Sequence, residues 1–185
     1  MRKLRVWIQW FRAAGILPFI SWKNRRFRQD LTRWKQVCHV EQYADATAVA
    51  ILLWEKPEFR NLLLYRHQQR PFFRFWVTRF YRPMDTLFIE CPDIGGGFFI
   101  QHGFSTIIGA KSIGENCWIN QQVTIGYNGS DDPPVLEDNV MVTCGAKVLG
   151  TIRVGSNAII GANAVVIRDV EPNAVMGGVP ARKLK

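Results

Sequence analysis

The chain has 185 residues, an apolar fraction of 48% and a formal net charge of +9. This is one domain, or one with a sizeable extension, and its apolar content excludes a disordered chain. A net +9 suggests a nucleic-acid partner, but residues 1–82 carry 17 Lys/Arg against 5 Asp/Glu, while residues 83–185 carry 7 against 10. Six of the seven Trp lie in the first stretch and 14 of the 15 Gly in the second. Two unlike segments, 1–82 and 83–185, therefore meet near Pro83.

The first segment reads as basic, aromatic-rich helix. Leu4, Trp7, Ile8 and Phe11 recur at helical spacing, with Arg2, Arg5, Gln9 and Arg12 on the other face. Residues 28–39 and 41–54 also read as helices, and Glu58–Arg70 as a short one restarted by Pro57. Arg66, Arg70, Arg74, Arg79 and Arg82 then alternate with Phe72, Phe73, Phe75, Trp76, Phe80 and Tyr81. Such an alternation packs aromatics between helices with solvated Arg side chains, or meets a membrane interface, or stacks on bases. No DNA- or RNA-binding signature accompanies it, so no nucleic acid is expected. Peripheral membrane contact is the functional alternative to plain packing.

Arg12 interrupts the N-terminal apolar run, no small-residue cleavage site follows, and no stretch approaches the ~18 apolar residues of a span. A cytoplasmic location is expected, with the inner face of the membrane as its variant. Cys38, Cys91, Cys117 and Cys144 form neither CxxC nor Cys/His spacing, so no metal is expected. Inert thiols fit better than two disulfides.

The second segment repeats every six residues. Apolar residues stand at Ile94 and Ile100, then, after a one-residue slip, at Ile107, Ile113, Ile119 and Ile125. After an interruption they resume at Leu136, Val142, Val148, Val154, Ile160 and Val166. Neither a helix (period 3.6) nor a flat strand (period 2) yields six. A parallel β-helix does: each hexapeptide gives a short strand and a corner, three make a coil, and the apolar residue points inward. Twelve repeats make about four coils.

The repeat, the run IGGGFFIQHG (94–103), the segment INQQVTIG (119–126) and the terminal GGVPARKL (177–184) resemble the hexapeptide-repeat acyltransferases. Within them they are most similar to the serine acetyltransferase branch, over about residues 87–185. The resemblance implies a mainly β fold: a left-handed parallel β-helix behind an α-helical N-terminal region, an exception to the usual right-handed crossover. It also implies a homotrimer with active sites between subunits, acetyl-CoA as donor and a hydroxyl as acceptor. The leader resembles the shorter one of related enzymes from polysaccharide gene clusters more than the serine enzymes' longer N-terminal domain.

Acyl transfer from a thioester to a hydroxyl needs a base, and imidazole suits neutral pH. His102 is the one His of the repeat and stands where the resemblance puts the catalytic base; His39 and His67 read as surface or packing residues. The serine enzymes orient that ring with an Asp fifteen residues earlier, where this chain has Leu87. Asp85, nearly one coil before His102, is the candidate orienting acid, with a backbone carbonyl as the alternative. For the donor, the resemblance points to Cys144, Gly145 and Ala146, then Gly161 and Ala162, where small residues admit the pantetheine arm. Lys147, Arg182 and Lys183 are candidates for the CoA phosphates. Gly95–Gly97 lack nucleotide-loop spacing and read as corners.

The segment Tyr127–Val135 breaks the repeat and should project over the active site. The serine enzymes carry an Arg-His pair there before a Pro; this chain has Asp132 and Pro133, and an acid would repel an amino-acid carboxylate. Asn120, Gln121, Tyr127, Asn128, Asp131 and Asp132 could instead bind sugar hydroxyls, although the loop residues also read as turn formers. The expected activity is acetyl-CoA-dependent O-acetylation of a saccharide or surface-polysaccharide precursor. The alternatives are serine O-acetylation in cysteine biosynthesis and a non-catalytic β-helical scaffold.

Overall fold

The computed structural model describes residues 2–129 and 132–185, with side chains from Trp7 onward. It divides into two compact units, Met1–Met84 and Asp85–Lys185, against an expected junction at 82/83.

The first unit holds five helices: α1 (Arg2–Ala13), α2 (Arg25–Val37), α3 (Asp45–Glu55), α4 (Pro57–Arg66) and α5 (Pro71–Phe80), with a 3-10 turn at Leu17–Phe19. Asn24 caps α2 by accepting the Phe27 amide, so this helix starts three residues before the expected position. Pro opens α4 and α5, where its missing N–H costs nothing. The run Ala48–Leu53 of α3 is entirely buried, which makes α3 the centre of this unit. Arg60 ties its C-terminal end down, donating to the carbonyls of Leu53, Trp54 and Arg82.

The orientation of α1 is opposite to the sequence expectation. It packs on α3, and Gln9 and Ala13 are buried while Trp7, Ile8 and Phe11 are exposed. Small Ala13 allows close approach to α3, and the bulkier stripe is left outward; the side chain of Leu4 lies outside the described residues. Helix α5 likewise buries Phe73 and Val77 but exposes Phe72, Phe75, Trp76 and Phe80, so the expected interhelical packing of the aromatics holds for Phe73 alone among these Phe and Trp residues.

His67, expected as a surface or packing residue, is buried. Its Nδ1–H donates to the Leu63 carbonyl (2.9 Å) and its Nε2 accepts the Ser21 amide (3.0 Å). That arrangement requires the neutral ring, and burial holds its basicity below the ordinary value. Protonation would set a second N–H against the Ser21 amide. The stabilisation is therefore complete above the unfolded value of about 6.5 and is lost as pH falls from there through the depressed folded value. The melting temperature should drop between pH 7.5 and pH 5 and His67→Gln should flatten that drop; an unchanged pH dependence in His67→Gln would acquit His67.

The described residues of the second unit form fourteen short strands on three faces. Face 1 stacks β1 (Leu87–Ile89), β3 (Thr106–Ile108), β6 (Thr124–Gly126), β9 (Lys147–Leu149) and β12 (Val165–Val166). Face 2 stacks β4 (Ser112–Ile113), β7 (Val135–Leu136) and β10 (Arg153–Val154), extended by bridges at Ile94 and Val170. Face 3 stacks β2 (Phe99–Ile100), β5 (Trp118–Ile119), β8 (Met141–Val142), β11 (Ile159–Ile160) and β13 (Val175–Gly177), closed by antiparallel β14 (Arg182–Lys183). All other pairings are parallel, and the whole is a left-handed β-helix of about five turns. The expected four are exceeded because β1 and β13 add rungs that lack hexapeptide spacing.

The interior is a set of stacked rows, such as Ile100, Ile119, Val142 and Ile160, each essentially sealed from solvent. Each such side chain contributes about 1.5–3 kcal/mol by burial. One expected member is wrong. Ile107 is 42% exposed and Ile108 is buried, with Ile108 paired to Ile125. The slip after Ile100 is two residues rather than one, and in a strand a one-residue shift turns a side chain to the opposite face. Burial pushes the Cys117 thiol up to about 12 and raises that of Cys38 as well; none of the four cysteines is in a disulfide. Among the described residues no helix is long and apolar enough to cross a membrane, and no group of three or more His, Cys, Asp or Glu could hold a metal ion.

Candidate active site

The edge where the chain turns from face 3 to face 1 gathers most of the expected site residues. On consecutive rungs, spaced about 4.8 Å apart, it carries Gln101–Ser105, Asn120–Val123, Thr143–Ala146 and Gly161–Ala164. Backbone bonds fix the stack: Gln101 N–H to the Ile119 carbonyl, Asn120 to Val142, Thr143 to Ile160 and Gly161 to Met176, at 2.8–3.0 Å. His102, Asn120, Gln121, Cys144, Gly145, Ala146, Gly161 and Ala162 thus line one edge.

His102 occupies a local widening of that edge. Eight positions separate the inward residues Ile100 and Ile108, against six between Ile119 and Ile125. Each rung has one left-handed residue three positions before the inward one: Ser105, Gln122, Gly145 and Asn163. His102, at φ 59°, is an additional left-handed residue outside this row. A non-glycine residue there is uncommon and is held by its surroundings; the Phe104 amide donates back to the His102 carbonyl. The ring is exposed and makes no hydrogen bond among the described residues.

The same edge offers unclaimed hydrogen-bonding groups. The amides of His102, Gln121, Cys144 and Ala162, equivalent on four rungs, take no partner among the described residues. At the edge between faces 2 and 3 two of the equivalent amides are capped by carboxylates. Glu115 N–H donates to Asp138 Oδ1 (2.7 Å) and Ser156 N–H to Glu137 Oε2 (2.9 Å). The Ser156 bonds and Arg153 hold the Glu137 carboxyl below the usual range. None of the described corner residues of the His102 edge, 101–105, 120–123, 143–146 and 161–164, is acidic. The buried oxygens Asn120 Oδ1 and Gln121 Oε1 also lack partners among the described residues. A column of amide donors suits the carbonyls of an extended chain laid along the edge.

The small residues of this column have structural reasons of their own. A Cβ on Gly145, at φ +73°, would stand 2.0 Å from Asn163 Oδ1, and one on Gly161 2.8 Å from the Met176 carbonyl. Lys147 Nζ donates to the Gln122 carbonyl at 2.5 Å, which keeps its cation on this edge. Lys183 is paired with Glu171 at 2.6 Å, leaving Arg182, exposed on β14, as the less committed cation of the two.

Three expected residues stand elsewhere in the coil. Asp85 precedes β1, whose Leu87 pairs with Thr106, so the backbone register brings it to the rung next to the His102 turn. Tyr127 and Asp132 lie on the segment after β6, at the edge between faces 1 and 2, not on the His102 edge of the same chain; Asp131 lies outside the described residues. Asp132 meets Lys111 Nζ at 3.4 Å, and its carbonyl accepts from Thr151 Oγ1. Lys111, one coil earlier on that edge, is a neighbour that the repeat frame could have revealed once the interruption was counted.

No protein-family model matches the chain. Residues of the chain are 45% identical over 93 residues to a serine acetyltransferase of Synechococcus elongatus, and 42% over 110 residues to one of Bacillus pumilus. These matches take in 48% and 57% of this chain and 38% and 50% of the relatives, so the chain spans half or less of the length of either relative. The structure of Neisseria gonorrhoeae serine acetyltransferase in complex with serine superposes with a TM-score of 0.60 at 26% identity, covering 85% of this chain and 67% of that one. That coverage exceeds the share of the chain in the coil unit, so the superposition takes in part of the helical unit as well. Fold and edge together support the hexapeptide-repeat acyltransferase superfamily. Within it, the relatives support the serine acetyltransferase branch.

Proposed function

We propose that the chain is an acetyl-CoA-dependent O-acetyltransferase acting on the hydroxyl of L-serine, with His102 as general base. The observation that carries this reading is the widened, left-handed turn that presents His102 at the head of a column of uncapped amides. In the proposed reaction the imidazole removes the hydroxyl proton, the oxygen attacks the thioester carbonyl, the C–S bond breaks, and the proton returns to the departing CoA thiolate. The uncapped amides at Gln121, Cys144 and Ala162 would bind the pantetheine arm, with Arg182 and Lys147 toward its phosphates. An amide of this edge is suited to the developing oxyanion.

The names of the relatives support serine and lend no support to the saccharide expected from the loop. The charge argument against serine also weakens, because Asp132 stands beside Lys111, although an exposed pair screens it only partly. The absent Arg-His pair keeps a saccharide hydroxyl as the second reading. A trimer is supported by the outward row of face 3, where the half-buried or exposed Trp118, Met141, Ile159 and Val175 stand in register. A further copy packed on such a row would bring another chain's loop toward an edge like that of His102. CoA release from acetyl-CoA should be stimulated by L-serine above any sugar or glycoside. Release stimulated only by a saccharide would replace serine with the second reading, and none with either would overturn the proposal.

A further inference from the structure

The helical unit exposes an aromatic surface that acetyl transfer does not use. Trp7 is 71% exposed, Phe11 80%, Phe72 81% and Phe75 62%, with Ile8, Trp76 and Phe80 also outward. Exposed aromatics in such number on a small unit are unusual unless something covers them. On α5 they fall at Phe72, Phe75, Trp76 and Phe80, on one side of the helix, with Arg79 among them and the exposed Arg70, Arg74 and Arg82 close by in the chain. Between the 3-10 turn and α5 lies a groove of about 520 Å³ lined by Phe19, Phe72 and Trp76, with Arg70 among its lining residues.

The charge around this surface is predominantly positive, with the exposed Glu55 beside Ile8 and Gln9 as the acid on the α1 side. Residues 1–29 contain eight Lys/Arg and no acid, and residues 59–84 contain six and no acid. Two copies of such a face would repel each other, so the occupant should be anionic. Between the two anionic candidates, lipid and nucleic acid, the rings decide. Trp76 and Phe80 are stacked on each other with an interplanar angle of 1°, and Phe75 meets Trp76 edge-on. Their faces are thus turned partly to each other, whereas base binding needs open faces. An apolar stripe bordered by Arg is the pattern of a helix lying in a lipid interface, where each cation near an anionic leaflet adds about 1 kcal/mol.

We propose that the outward face of α5, with Phe19 of the 3-10 turn beside it, is a peripheral docking surface for an anionic lipid bilayer. The aromatics enter the headgroup region and the flanking arginines meet lipid phosphates. The full chain should co-sediment with vesicles of phosphatidylglycerol and phosphatidylcholine, much less with phosphatidylcholine alone, and less as salt rises. The double variant Phe72→Ser/Phe75→Ser should weaken binding by about tenfold or more with an unchanged circular dichroism spectrum. Arg74→Glu/Arg79→Glu, which leaves the rings in place, should lose the preference for anionic vesicles. Failure to bind anionic vesicles, or binding indifferent to both variants, would overturn the proposal. So would either of two substitutes: tighter binding of single-stranded RNA, or concentration-dependent self-association that both variants abolish. The assay contains no acetyl-CoA or acceptor, so its outcome is independent of the enzymatic reading.

Discussion

Replacing His102 should reduce turnover by about 10²-fold or more, the usual contribution of a positioned general base, while the β-helix stays folded. The structure separates these effects. The ring is exposed and makes no hydrogen bond among the described residues, so its removal leaves the interior rows intact. What the position demands is the left-handed backbone at φ 59°. Alanine resists that conformation by roughly 1–2 kcal/mol, whereas asparagine adopts it more readily. His102→Asn should therefore melt close to the wild type and His102→Ala somewhat below it, with both equally inactive. Activity loss common to the two variants but unrelated to their melting temperatures identifies lost proton transfer. Near-normal turnover in His102→Asn would remove His102 as the base, and activity that tracked stability would make it a structural residue.

Much of this was legible in the sequence because the β-helix is a local code. Ile113, Ile119, Val142, Val148, Val154 and Ile160 each announce their rung by six-residue spacing, and their burial needs only neighbouring coils of the same pattern. Stacking then puts His102, Gln121, Cys144 and Ala162 on one edge, because residues in equivalent corners fall one above another. The code failed where the period changes. Six-residue spacing with a one-residue slip points to Ile107 as the inward residue, whereas the longer insertion that widens the His102 turn gives that place to Ile108, and that same insertion is the distinguishing feature of the site. The helical unit was harder to read. The stripe of Trp7, Ile8 and Phe11 marks a helix, but its direction was decided by α3, whose run of apolar residues is buried on every side and leaves α1 to approach through Ala13. A periodicity records amphipathicity; it does not record which neighbour is available.

Breaking the ion pair of Asp30 and Arg66 should be the most damaging single change in the helical unit. Arg66, the last residue of α4, reaches Asp30 of α2 through two parallel bonds, Nε to Oδ2 at 2.7 Å and Nη2 to Oδ1 at 3.1 Å. The side chains are 5% and 1% exposed, respectively, so neither charge is well solvated if its partner is lost. Removing one member of a buried pair typically costs about 3–5 kcal/mol, because the remaining charge is stranded; exposed Lys35–Asp45, with Asp45 at 64%, belongs to the class worth about 0–1 kcal/mol. Asp30→Ala should accordingly lower the denaturation midpoint far more than Asp45→Ala. In a double variant, Asp30→Ala with Arg66→Met, the buried cation is removed together with its carboxylate, and much of the loss should be recovered. A strictly additive double variant would show that the two groups act separately, despite their bidentate geometry. A loss in Asp30→Ala no larger than in Asp45→Ala would show that water reaches the guanidinium once the carboxylate is removed.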